Sequence, residues 1–170
     1  LKNWTIFRGE HRVDFSVDPD KPVTLLFGFN GAGKTAILNA FTWCLFNRLT
    51  HKFGETEGLI NTSILENDPT SDTSVQIEIE HGNDCYTITR TIAPHGNPDV
   101  IVKKGGVRVT VEDIYSFMPI ELSRLFFFDA ENFSQASILA DKDSGGNDPF
   151  EIGRAMRSLL GVKIYHQASQ

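Results

Sequence analysis

Apolar and polar positions change period several times along this chain, and each change marks an element. Residues 3–7 and 12–17 are short β-like runs around Arg8-Gly9-Glu10-His11, which predicts a hairpin. Pro19 and Pro22 then interrupt the β pattern. Val23-Thr24-Leu25-Leu26-Phe27 is an unbroken apolar run ending on Gly28, the pattern of a buried strand. After Gly33, Ile37, Ala40, Phe41, Cys44 and Leu45 fall at i, i+3, i+4, i+7 and i+8, one face of a helix. Leu38, Trp43 and Phe46 lie elsewhere on its circumference, so the helix is expected to be buried on more than one side.

Residues 51–73 are rich in Gly, Asn, Ser, Thr, Asp and Glu and read as an irregular, partly mobile connection. An antiparallel β subdomain is expected over 74–111. Val75 to Glu80 alternates, His81-Gly82-Asn83-Asp84 has turn chemistry, and Tyr86, Ile88 and Ile92 resume the alternation. A second hairpin is signalled by residues 100–104, Gly105-Gly106 and residues 107–109. A short helix from Thr110 or Glu112 to Phe117 is stopped by Pro119. Residues 124–128 read as another buried strand, 140–149 as a loop, and 150–160 as a helix ended by Gly161.

With 170 residues, 40% hydrophobic and 22% charged, the chain is long enough for one globular core and is not wholesale disordered. No apolar run approaches the roughly 18 residues of a membrane span, and nothing at the start reads as a secretory signal. Cys44 and Cys85 form no CxxC pair, so a cytoplasmic compartment without metal thiolates or structural disulfides is expected. A net charge of −6 argues against a domain-wide polyanion binder, although a local patch remains open. Lys103, Lys104 and Arg108 are the candidate patch, set against the ordinary reading of a solvated hairpin tip.

Gly28-Phe29-Asn30-Gly31-Ala32-Gly33-Lys34-Thr35 fits G-x-x-x-x-G-K-[ST], between an apolar run and an amphipathic helix. The chemistry requires those residues. Glycines let backbone N–H groups wrap phosphates at a helix N-terminus, Lys34 neutralises the β- and γ-phosphates, and the Thr35 hydroxyl ligates Mg²⁺. The predicted ligands are therefore a nucleoside triphosphate, ATP once the family resemblance below is added, and Mg²⁺, held by Gly28, Asn30, Gly31, Ala32, Gly33, Lys34, Thr35 and Ala36. No guanine-reading Asn/Thr-Lys-x-Asp element occurs, and the β-rich insertion interrupts the βα order of a small kinase.

The opening Asn3-Trp4-x-x-Phe7-Arg8, the P-loop, Asn39-Ala40-Phe41 and Leu45-Phe46 together resemble the N-terminal ATPase lobe of SMC-like proteins. Tyr86-x-Ile88-x-Arg90 and Leu125-Phe126-Phe127-Phe128-Asp129-Ala130-Glu131 look most like the DndD group of DNA sulfur modification proteins and the SbcC-type ATPases. That family usually has Gly where Ala130 stands. The resemblance implies an α/β P-loop NTPase of the ABC/SMC-like head type, its N-terminal lobe spanning 1–170 with a mixed core sheet and the antiparallel β subdomain. It also implies a Q-loop-like segment at 125–135 and a helix over 150–162 leading toward a coiled coil. Signature motif and Walker B strand would then lie in a C-terminal lobe of the same protein. A second head would pair with this one as a homodimer, and DNA would be a partner of the whole assembly.

Lys34, Asp129 and Glu131 are the candidate catalytic residues, with Thr35 and Asp129 at the metal. The family match places Asp129 and Glu131 at a Q-loop; four apolar residues ending in an acid also suit a Walker B strand. Arg8 matches a family residue that reaches the phosphates, against the alternative of an exposed hairpin arginine. Arg90 is read as paired and half-buried or as an edge residue, and Cys44 as packing. Three functions stay open: an ATPase half-head acting in DNA processing, modification, repair or phage defence; a nucleotide-gated dimerisation or DNA-clamping module; and a self-sufficient NTPase using Asp129 and Glu131.

Overall fold

The computed structural model describes residues 1–49, 56–68, 70–93, 96–120, 123 and 127. Where the apolar period becomes 3.6 the chain is helical. Helix α1 (Lys34–Phe46) starts at Gly33 and closes at Asn47, whose left-handed φ of 53° is one that asparagine tolerates better than most residues. Thr42, Trp43, Cys44, Leu45 and Phe46 are all buried, so its second half is enclosed on more than one side, as expected.

Past α1 come a 3₁₀ turn (Thr56–Leu59), helix α2 (Thr62–Asn67) and four strands, β1 (Thr73–His81), β2 (Asp84–Ile92), β3 (Asp99–Lys104) and β4 (Val107–Val109). All neighbours are antiparallel, in the order β1-β2-β3-β4. Register follows the alternation: Ile77 faces Ile88, and Ile88 faces Val102. Gly105 and Gly106, both at positive φ, make the β3–β4 turn, where two left-handed residues match the twist of the strands. Val75, Ile88, Ile92 and Val102 are buried on one face, while Gln76, Glu78 and Glu80 are exposed on the other. Helix α1 packs against β1 and β2.

Arg90 is 6% exposed and belongs to that buried face. Its Nε donates to the Cys44 carbonyl (3.1 Å) near the end of α1, and its guanidinium lies 5.9 Å from the Trp43 ring centroid. A helix with no basic residue in its last turn thereby receives a cation from the sheet. Of the alternatives read from the sequence, pairing holds, with deeper burial. Cys44 is packing: its Sγ sits 3.3 Å from the Val75 carbonyl oxygen, and burial pushes its thiol up to about 12 despite the opposing pull of Arg90.

Three expectations change. The opening hairpin is shifted, pairing Leu1 with His11 and Asn3 with Gly9, because Asn3 (φ 53°) and Thr5 (φ 47°) break the extended run. Between them Trp4 turns inward and bridges to Ile60. Residues 23–27 join no sheet among the described residues, and Leu25 and Phe27 are 70% and 90% exposed. A run that apolar needs two covering layers, and none of the described residues supplies them; the observed sheet is antiparallel rather than a mixed core carrying the P-loop. Where described, the 51–73 connection carries regular structure, the 3₁₀ turn and α2; Leu59 is fully buried, and Thr5 N–H donates to its carbonyl (2.7 Å).

The chain divides into two compact units, Leu1–Val111 and Glu112–Gln170. At the junction, α3 (Val111–Tyr115) agrees with the short helix expected before Pro119. Phe127 is a half-buried bend whose N–H donates to the Ser123 carbonyl (2.8 Å). The remainder of the 124–128 strand, Asp129, Glu131, the 125–135 segment and the 150–162 helix otherwise lie outside the described residues. Among the described residues no helix is long and apolar enough to cross a membrane.

Candidate nucleotide-binding site

The loop before α1 is a tight turn followed by a left-handed entry into the helix. Ala32 N–H donates to the Phe29 carbonyl (3.1 Å) across a turn whose third residue, Gly31, has φ 82°. That value is the one a type II turn reserves for glycine. Gly33, at φ 99°, is the N-cap. Having no side chain, it contributes no capping acceptor, and the first turn of α1 holds no acidic residue. The leading amides of a helix have no intrahelical acceptor, so Lys34, Thr35 and Ala36 present N–H groups and a positive dipole end toward any anion at the loop.

Lys34 Nζ folds back over the loop, donating to the carbonyls of Gly28 (2.7 Å) and Phe29 (3.0 Å). Those acceptors are neutral; a phosphate oxygen offers the same ammonium a charge-assisted bond of about twice the strength. Gly28 is closely approached, since a Cβ there would lie 2.9 Å from the Ala32 Cβ. Thr35 is half-buried, and its carbonyl accepts from Nδ2 of the fully buried Asn39 (2.9 Å). The loop therefore fits a di- or triphosphate: glycines where backbone must approach, free amides, and an ammonium already held over the loop by two of its carbonyls.

A clasp that the motif does not announce holds this loop. Trp4 Nε1–H donates to the Ala36 carbonyl (2.8 Å), and its ring lies 5.0 Å from that of Trp43. Asn61 Nδ2 bonds the Thr5 carbonyl (2.6 Å), fixing the next residues, Ile6 and Phe7, against Gly33. A Cβ on Gly33 would approach Ile6 Cδ1 and Phe7 Cζ to 2.8 Å. The only sequence signal for this was the rarity of tryptophan and the polar handle a buried indole must satisfy.

Residues 28–33 thus form the loop and Lys34, Thr35 and Ala36 the first turn of α1 that follows it, with Asn30 exposed; Arg8 is exposed one residue beyond Phe7, and its carbonyl lies 2.8 Å from His11 Nε2. Asp129 and Glu131 are outside the described residues. The three basic residues of the second hairpin do not form one cluster. Lys104 shares the face of Tyr86, lies 5.6 Å from its ring and pairs with Asp84 (2.8 Å), whereas Lys103 and Arg108 stand opposite each other on the other face.

A glycine-framed loop, a lysine folded over it and a helix N-terminus are the features of a P-loop, and residues 1–163 match the sequence profile of the AAA domain family. The chain belongs to the AAA domain family. It is a P-loop NTPase domain, and it is similar to the SbcC subunit of the SbcCD nuclease of Bacillus subtilis (strain 168), at 24% identity over 164 residues. That alignment takes in 96% of this chain and 12% of the relative, so the chain spans about an eighth of that protein's length.

Proposed function

We propose that this AAA domain binds Mg-ATP as half of an SMC-like ATPase head. The observation that carries the reading is the left-handed glycine entry to α1, with the Lys34 ammonium folded over the loop carbonyls. The amides of Gly31 and of Gly33 to Ala36 would cradle the phosphates, with Ala32 closing the turn between them, Asn30 and Arg8 would approach them from the loop and the opening turn, and the Thr35 hydroxyl would hold the metal. Magnesium supplies charge neutralisation of the phosphate oxygens when bound. Asp129 joins the metal shell and Glu131 the hydrolytic step in this reading.

Completion by a C-terminal lobe of the same protein and by a second head is supported by the exposed apolar run 23–27 beside the loop. Val23, Leu25 and Phe27 are each at least 70% exposed, an unusual concentration for a surface with no partner. The similarity to a nuclease subunit supports action on DNA, in processing, modification of the DndD kind, repair or defence, in the cytoplasm. Lys103 and Arg108 supply a place for phosphate contact.

Calorimetric titration with Mg-ATP tests this. Lys34→Ala should weaken binding at least about 100-fold, the loss of a charge-assisted contact at each of two phosphates, with an unchanged circular dichroism spectrum. Equal affinity in the variant would overturn the site. Steady-state hydrolysis by the chain alone, then with the C-terminal lobe added, tests the split: turnover should appear on mixing, and full turnover unaided would refute it.

A further inference from the structure

The turn that carries Arg8 is gripped more firmly than an exposed turn requires. Arg8 and Gly9 are both exposed at its tip, and Gly9 has φ 77°. A peptide plane that precedes glycine flips readily between turn types, because glycine accepts either sign of φ. Here the Arg8–Gly9 peptide is held at both ends by side chains. Its carbonyl oxygen lies 2.8 Å from His11 Nε2, and its N–H donates to Asn3 Oδ1 (2.9 Å). A carbonyl only accepts, so Nε2 carries the proton and donates.

Both anchors are themselves fixed. Asn3 is 3% exposed; its Nδ2 donates to Ser71 Oγ (3.0 Å) and to the Asp72 carbonyl (3.2 Å), and its backbone N–H donates to the Gly9 carbonyl (2.9 Å). His11 N–H donates to the Leu1 carbonyl (2.8 Å), and its imidazole lies 5.3 Å from the Phe7 ring. Phe7 is in turn one of the two residues that abut Gly33, the N-cap of α1. From one position, His11 therefore touches the ring that meets the phosphate loop and the backbone of the residue that follows it.

We propose that His11 is a positioning residue for nucleotide binding, holding the Arg8–Gly9 peptide plane so that the Arg8 guanidinium is presented to the phosphates. This rests on the reading above, in which Arg8 reaches the nucleotide, and names what keeps it there. With Phe7 set against Gly33 and Gly9 bonded to Asn3, the plane between Arg8 and Gly9 is the freedom left in the turn. Rotating it re-aims the Arg8 Cα–Cβ bond. An arginine already gives up rotamer freedom on meeting an anion, and a fixed backbone keeps that loss from growing. The His11 ring is exposed, so water competes for its bond and the bond adds little to stability. Its effect belongs in affinity rather than in melting.

A double-mutant cycle in Mg-ATP affinity, read by calorimetry on this chain, tests this. Arg8→Ala should weaken binding about tenfold or more, the loss of one charge-assisted contact. His11→Phe keeps a ring beside Phe7 and removes the donor. It should weaken binding about fivefold in the parent but less than about twofold in the Arg8→Ala background, with the thermal midpoint moved by no more than about 2 °C. His11→Gln, whose Nε2 amide can donate to the same carbonyl, should recover most of the affinity. An equal loss from His11→Phe with and without Arg8, or no recovery by glutamine, overturns the positioning role and leaves the nucleotide site standing. An Arg8→Ala chain that binds like the parent removes Arg8 from the site and overturns this inference too, whereas a parent chain that fails to bind Mg-ATP overturns the site itself and the inference with it.

Discussion

Replacing Arg90 tests whether a buried cation on the sheet secures the end of α1. Arg90→Met keeps a long apolar stem and removes the guanidinium, which now donates to the Cys44 carbonyl at 3.1 Å and lies 5.9 Å from the Trp43 centroid. A hydrogen bond from a charged donor contributes about 1.5–3 kcal/mol, and a desolvated cation–π contact about 1–2 kcal/mol. Against these, methionine relieves the desolvation of a buried charge, which takes back part of the loss. The expected net destabilisation is about 2–3 kcal/mol. With a urea m-value of about 2 kcal/mol/M for a domain this size, the midpoint should fall by about 1–1.5 M. Arg90→Lys should recover less than half, because an ammonium has no planar fork to meet carbonyl and ring together. Equilibrium urea titration followed by tryptophan fluorescence reads this directly, since Trp4 and Trp43 are stacked in the same cluster. A loss below about 0.5 kcal/mol, or a lysine variant as stable as the parent, would refute the reasoning.

Cys44 and Cys85 should separate cleanly in thiol chemistry. At pH 8 a disulfide reagent should label exposed Cys85 within minutes and reach Cys44 only on unfolding, because burial holds the Cys44 thiol protonated; two fast equivalents would contradict its burial. Its folded pKa of about 12 lies above the unfolded value of 9.0, so the unfolded state loses the proton first. Stability should therefore fall as pH rises from about 9 to about 12, by up to about 1.4 kcal/mol per pH unit. Cys44→Ala should flatten that decline, and an identical slope in the variant would exclude the thiol as its source. Gly33→Ala forces a Cβ to within 2.8 Å of Ile6 and Phe7 at φ 99°. It should cost about 2–4 kcal/mol and abolish Mg-ATP binding, whereas a variant melting with the parent would show that the clasp yields freely.

How much was legible depended on whether a residue's partner lay nearby in sequence. The P-loop motif, helix α1 and the two β hairpins were readable because their physics is local: glycines at positive φ, a 3.6-residue period, and alternation closed by short turns. Arg90 could be placed on a face but not given its partner, since the Cys44 carbonyl is 46 residues away. Trp4 was assigned to a hairpin strand, yet the left-handed Asn3 and Thr5 on either side of it turn it inward, where its indole donates to the Ala36 carbonyl. The basic hairpin looked like one patch until register put Lys104 on the Tyr86 face and Lys103 with Arg108 on the other. The run 23–27 is the reverse case: composition demanded a buried strand, but composition states only a need for cover, and which layer meets it is a property of the tertiary structure. The sequence by itself determined the local geometry that can hold a phosphate. Tertiary structure alone decided what holds that geometry still, because hydrophobic burial and the partners of buried polar groups are set by contacts between residues distant along the chain.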